Sequence, residues 1–147
     1  MGSAAAAVVA LVTCAGESGA LRVLDAYAAE PVTPDAAAVY FRVVNPGAAP
    51  DTLLAAECGI AARAAVHAQR AAGGMVHMHP AGPVTVPAEG ALQLQPGGLH
   101  LMLEGLTVMP RAGDTIHVTL RFARAGAIPV RVPVIPYAEV TDRGGRS

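Results

Sequence analysis

All five histidines of this 147-residue chain, and four of its five methionines, fall between His67 and His117. Thioether sulfur is a soft neutral donor and imidazole a borderline one, so a mixed set of the two suits Cu(I) better than the hard cations that carboxylates hold. His100-Leu101-Met102 supplies half of such a set. In an extended chain, residues two apart project from one face, so His100 and Met102 point together while Leu101 turns to the other side. Met78 stands between two further histidines in Met75-Val76-His77-Met78-His79-Pro80. In a strand Met78 faces one way and His77 and His79 the other, so only one of these sets can join the His100/Met102 pair. Met75 and Met109, taken singly, read as core gap filler. His117 alternates with Ile116 and Val118 and reads as a solvated surface residue. His77 and His79 divide evenly between auxiliary metal capture, where added imidazoles also suit Cu(II), and a plain solvated face.

The elements that must position these residues are strands. The chain is 53% hydrophobic but only 3% aromatic, with Ala and Val supplying most of the apolar content and no Trp at all. Small and β-branched side chains favour extended structure. Short apolar stretches are broken by Pro, Gly, Asn or Asp every eight to twelve residues, the rhythm of a β-sandwich. The pattern predicts strands over 21–28, 37–45, 52–58, 64–69, 75–79, 91–95, 99–103, 115–123 and 127–134. Asn45-Pro46-Gly47, Gly73-Gly74, Pro87-Ala88-Glu89-Gly90, Pro96-Gly97-Gly98 and Ala112-Gly113-Asp114 supply the turns between them. Ile116/Val118/Leu120/Phe122 and Ile128/Val130/Val132/Val134, around Ala125-Gly126, read as a hairpin with one buried face. The competing assignment is a helix over 55–72, where Ala is dense, but Gly59 and the lack of an N-cap weaken it. One domain over 20–137 accounts for the globular part, with a flexible polar tail over 138–147.

Ten basic against eleven acidic residues leave a net charge of −1, too balanced to gather phosphate backbones or hold an anionic membrane, so nucleic acid is not an expected partner. The apolar run over 4–12 is too short to span a bilayer and suits the core of a secretory leader, which sets residues 1–19 apart. It ends Leu11-Val12-Thr13-Cys14, similar to a bacterial lipoprotein cleavage box, so lipidation of Cys14 is an alternative to plain secretion. With only Cys14 and Cys58 there is no disulfide framework and no CxxC pair. Cys58, between Glu57 and Gly59, reads as a buried small hydrophobe. No nucleophile elbow, HExxH or paired-carboxylate motif points to an enzyme. A blue-copper centre would need a Cys thiolate beside two His, and Cys58 lies nine residues before His67. Glu104 could orient a metal ligand as a hydrogen-bond acceptor or stand as an ordinary surface carboxylate.

The full spacing adds more than any single motif. His67, ten residues, Met78, twenty-one residues, His100, one residue, Met102 resembles the metal-binding signature of the PCu(A)C periplasmic copper chaperones. Ala38-Val39-Tyr40-Phe41 with Asn45-Pro46-Gly47, Pro96-Gly97-Gly98-Leu99 ahead of the His100 strand, and Gly113-Asp114-Thr115 before the last strands are similar to the same family. The resemblance covers residues 21–136. The chain is expected to be a monomer without a transmembrane span, and His77 and His79 depart from the family's pattern, their added imidazoles also suiting Cu(II) as an auxiliary possibility. The resemblance implies an all-β, cupredoxin-like antiparallel β-sandwich that binds one Cu(I) through His67, Met78, His100 and Met102. It further implies delivery to the CuA subunit of cytochrome c oxidase, beside a Sco-type copper protein, in the periplasm or cell envelope. Copper buffering or scavenging in the envelope is the alternative within the binding class, and a secreted Ig-like module without metal lies outside it. Because imidazole must be deprotonated to bind, affinity should fall below pH ~6.5.

Overall fold

A computed structural model describes residues 20–144; the leader-like segment 1–19, with Cys14, lies outside the described residues. Ten strands follow in order: β1 (Arg22–Ala29), β2 (Ala36–Asn45), β3 (Asp51–Cys58), β4 (Ala61–Ala72), β5 (Met75–Pro80), β6 (Val84–Val86), β7 (Gly90–Leu94), β8 (Leu99–Leu106), β9 (Thr115–Phe122) and β10 (Gly126–Ile135), then helix α1 (Tyr137–Gly144). Hydrogen-bonded neighbours run β5-β4-β8-β2-β1-β10-β9-β3-β6, and β7 pairs with the second half of β2 beyond the point where β8 leaves it. The ladder folds into two layers where β1 meets β10 through a short parallel pairing, Ala28 with Val134 and Ala29 with Ile135. Every other pairing is antiparallel. The architecture is the expected cupredoxin-like β-sandwich.

Alternation explains which faces meet. Ala37, Val39, Phe41 and Val43 of β2 turn inward, as do Leu101 and Leu103 of β8, and they pack against Ile116, Val118, Leu120 and Phe122 of β9. Phe41, Leu101, Leu103 and Leu120 are fully buried, so removing any of them leaves a cavity in a core that is otherwise mostly Ala and Val. Cys58 is a free thiol buried in this core opposite Val118, the small-hydrophobe role expected of it.

Two elements differ from the sequence-based expectation, and a third, β4, is the expected strand but longer. β4 is a twelve-residue strand where a helix was the competitor, because β8 and β5 pair with it on its two sides and tertiary pairing overrides the helical preference of Ala. β6, three residues long, was not expected; it pairs Val86 with Asp51 and buries Val86 completely. The segment expected to fray from Ala138 forms α1, which buries Val140 and carries Arg143 to 4.8 Å from the centre of the Tyr27 ring. Tyr27 in turn lies 5.3 Å from Tyr40, so α1 caps, over β1 and β2, the outer face of the layer β5-β4-β8-β2-β1, the first sheet.

Asp51 fixes how β3 meets the β9–β10 hairpin. Its carboxylate, 5% exposed, accepts hydrogen bonds from the backbone N–H groups of Thr52 (2.7 Å), Arg124 (2.8 Å) and Ala125 (2.9 Å). Burial alone would raise its pKa, but the three N–H donors, joined by the charge of Arg124, outweigh that and hold it below its usual value. A depressed carboxylate pKa contributes stability above the unfolded value, near 3.9, that is lost as pH falls through the folded one. Asp51→Asn should therefore destabilise the fold by about 2–3 kcal/mol at pH 7. Urea unfolding of both proteins at pH 7 and pH 3 checks this: the gap should shrink on acidification, and an equal gap at both values would refute the charged hydrogen-bond account.

Candidate metal site

The register of three strands decides which donors share a face. His67 on β4 is directly opposite His100 on β8, and Ala65 is opposite Met102. On the other side of β4, His67 is opposite Pro80 and Gln69 is opposite Met78 on β5. Opposed residues of an antiparallel pair share a face, and so do residues two apart on one strand. His67, His100, Met102 and Met78 therefore all project from the outer face of the first sheet, away from Leu101 and Val66 in the core. His67 is the hub, with His100 across from it and Met102 and Met78 on its two diagonals, a spacing long side chains can bridge. The His67 and His100 rings lie 6.1 Å apart at their centres, tilted by 45°.

The same register settles the question left by the His-Met-His run. His79 is opposite Ala68 and His77 opposite Arg70, so His77, His79 and Met75 point from the reverse face of β5. They do not join the four-residue set. Met109, 39% exposed, follows β8 in a loop, and His117 is exposed on β9 opposite Arg131, far in the sheet order from β8.

The β4–β5 register is fixed by its turn. Ala72 is opposite Met75 across Gly73-Gly74, and both glycines have positive φ, 62° and 77°. That is the two-residue turn whose twist matches paired strands, and only glycine adopts both positions without strain.

Burial grades across the site. His100 is 3% exposed, His67 and Met102 are half-buried, and Met78 is 55% exposed on edge strand β5. Nδ1 of His100 lies 3.2 Å from the carbonyl oxygen of Gly98. A carbonyl only accepts, so Nδ1 carries the proton and Nε2 presents its lone pair. That Nε2 is buried and has no hydrogen-bond partner among the described residues. An orphaned buried acceptor is costly, and a metal ion is the type of ligand that relieves it, with the Gly98 contact fixing the ring as metal-bound histidines usually require. Among the described residues no three His, Cys, Asp or Glu side chains converge on a common point, so a metal on this face must use thioethers beside the imidazoles. Glu104 takes the surface role, pairing with Arg63 at 3.3 Å across β4 and β8 on the ligand face.

Sequence reading missed two features of the site's geometry. The Gly98 carbonyl orients His100, and a backbone atom leaves no residue-type signal beyond the Gly97-Gly98 turn. Gln69 is the cross-strand neighbour of Met78, which counting outward from Gly73-Gly74 would have found.

Residues 21–134 match the family described as "Putative lipoprotein LpqE-like". The chain belongs to this LpqE-like family. A relative, "Putative lipoprotein Lxx21020" of Leifsonia xyli subsp. xyli (strain CTCB07), is 44% identical over 57 residues, which are 39% of this chain and only 34% of the relative. Among solved structures, the copper-bound PCuAC domain from PmoF2 superposes with a TM-score of 0.69 at 21% identity, covering 81% of this chain and 95% of that one. The apo PCuAC domain from PmoF1 gives 0.68 at 23%, covering 81% and 96%. The Cu(I) form of DR1885 from Deinococcus radiodurans gives 0.62 at 28%, covering 82% and 83%. The LpqE-like chain thus has the PCuAC domain fold that its spacing resembled. No helix among its described residues is long and apolar enough to cross a membrane.

His100 supplies a test of this geometry. Burial lowers its pKa below the usual 6.5 and the neighbouring His67 lowers it further, against an opposing contribution from the Gly98 contact. The neutral, binding-competent ring therefore persists to lower pH than it would in an exposed histidine. A depressed histidine pKa means stability is intact above about 6.5 and declines as pH falls below it, because the unfolded chain takes up the proton first. NMR titration of the metal-free protein should place the His100 midpoint below that of a free imidazole, with the Nδ1–H tautomer above it; a midpoint higher than 6.5 would contradict the buried, donor-fixed ring.

Proposed function

We propose that this protein is an extracytoplasmic copper(I) chaperone that takes one Cu(I) as cargo on His67, Met78, His100 and Met102 and passes it to another protein. The observation that carries the reading is the orphaned, buried Nε2 of His100, on one sheet face with a second imidazole and two thioethers. Two soft sulfurs and two neutral nitrogens match Cu(I) and give a hard cation nothing to prefer. The copper-bound PmoF2 domain and the Cu(I) form of DR1885, which share this fold, support the choice of metal.

The gradient of exposure suggests how release proceeds. His100 is the anchored donor, held by Gly98. Met78, on an edge strand with β4 on one side only, is the donor an incoming thiolate or imidazole displaces first. His67 and Met102 then follow, so the metal changes hands by stepwise ligand replacement and never needs to enter water free. Neutral donors leave the ion's charge uncompensated on the site, which favours capture by an anionic thiolate.

The finer identity of the route rests on the family resemblance: a cytochrome c oxidase CuA subunit as recipient, a Sco-type copper protein alongside, and a monomeric carrier in the periplasm or cell envelope. Lipid attachment through Cys14 fits the lipoprotein descriptions of the family and of the Leifsonia relative. Loss of CuA spectral intensity in a deletion strain checks the destination.

For the site itself, Cu(I) titration against a competing chelator should give one equivalent of tight binding. His67→Ala, His100→Ala and Met102→Ala should each weaken it at least tenfold, and Met78→Ala should weaken it less while speeding transfer to a dithiol peptide. Unchanged affinity in both His100→Ala and Met102→Ala would remove the assignment.

A further inference from the structure

The reverse face of β5 carries a second set of donors that the first site cannot use. Met75, His77 and His79 occupy successive same-face positions of one strand, opposite Ala72, Arg70 and Ala68 of β4. Their Cα atoms are therefore about 7 Å apart in turn. Two imidazoles at that separation can close on one ion at metal–nitrogen distances of about 2 Å. Nothing covers them: all three are exposed, with Met75 at 64%, and neither histidine has a hydrogen-bond or ion-pair partner among the described residues. The flanking Ala68 and Ala72 leave room beside the rings. Arg70 is the one charged neighbour across the strand pair, and its long exposed side chain can extend into solvent.

We propose that His77 and His79 form a second, weaker copper site, in which the two imidazoles take Cu(II), with the Met75 thioether one step further along the same face. It is separate from the first site in the face it uses and joined to it by the backbone of β5, because Met78 lies between His77 and His79. The unpaired outer edge of β5 puts no neighbouring strand between the two faces. The hairpin thus presents nitrogen-rich donors on one side and a sulfur donor on the other, so that copper of either oxidation state meets a compatible ligand at the same projecting strand. The identity of the metal rests on the copper reading above; the site's existence does not.

The test is a Cu(II) titration followed by electron paramagnetic resonance, with copper sulfate as the probe and a Cys14→Ser background so that no thiol outside the described fold contributes. One nitrogen-ligated Cu(II) signal should appear in this protein and persist in His67→Ala. It should weaken at least tenfold in the His77→Ala/His79→Ala double variant and stay unchanged in His117→Ala. A signal that survives in the double variant, or vanishes in His67→Ala, overturns the second site. Cu(I) competition on the same proteins separates the two readings. If the double variant keeps full Cu(I) affinity but gives no change in the Cu(II) signal, the first site stands and the second falls. If His67→Ala and His100→Ala keep full Cu(I) affinity while the double variant loses the signal, the chaperone reading falls and the second site stands.

Discussion

Register between β4 and its two neighbours is the constraint on which everything else depends. In a sheet the side-chain period is two, so slipping β5 by one residue against β4 would send Met78 to the reverse face and bring His77 or His79 to His67. The site would then be three imidazoles and one sulfur, a different metal preference altogether. What prevents the slip is the two-residue Gly73-Gly74 turn, both of whose φ angles are positive. On the other side, β4 is held to β8 over seven pairs from Ala61 to Ala68, with the core residues Val66 and Leu101 locking the inner face. Donor identity is thus a product of turn geometry and core packing as much as of the donor residues.

The fold places its order where the proposed binding would need it. His100 lies between the fully buried Leu101 and the Pro96-Gly97-Gly98 turn, so in the proposed site its ring would be set before an ion arrived. Met78 comes from an edge strand on which every residue is exposed. Preorganisation at one end and accessibility at the other are opposing demands, and they are met by putting the donors on successive strands running outward from the core to the edge.

Much of this was legible in the sequence, and the limits have physical causes. Strand alternation is strong where one face is buried, so β2, β9 and β10 were found almost to the residue, and β8 was found from its first residue but three short of its end. β6 was missed because three residues between Gly82-Pro83 and Pro87 carry no periodicity. α1 was missed because about two turns of mostly polar residues are stable only through Val140 and the Arg143–Tyr27 contact, both tertiary. Strand parity joined His100 to Met102 without any structure, but parity within β5 says only that Met78 and its flanking histidines oppose one another. Choosing between them needs the pairing partner. The burial of His100 was not legible at all: it lies on the solvent-side parity of its strand, and what encloses it is the folded outer face.

The exposed edge of β5 has a consequence for life in a crowded compartment. A row of unpaired backbone donors and acceptors, with no charged side chain from Met75 to Pro80, is the kind of edge onto which another chain can add a strand. Most proteins blunt such an edge with lysine or cover it with a loop, but either device here would put a competing charge or a steric screen next to Met78. The protein keeps only the milder protections, a short strand closed by Pro80 and a tight glycine turn at its start. Openness to a partner and vulnerability to self-association are one property of this strand, and the residues proposed to release the metal are the same ones that leave the edge open to strand addition by another copy.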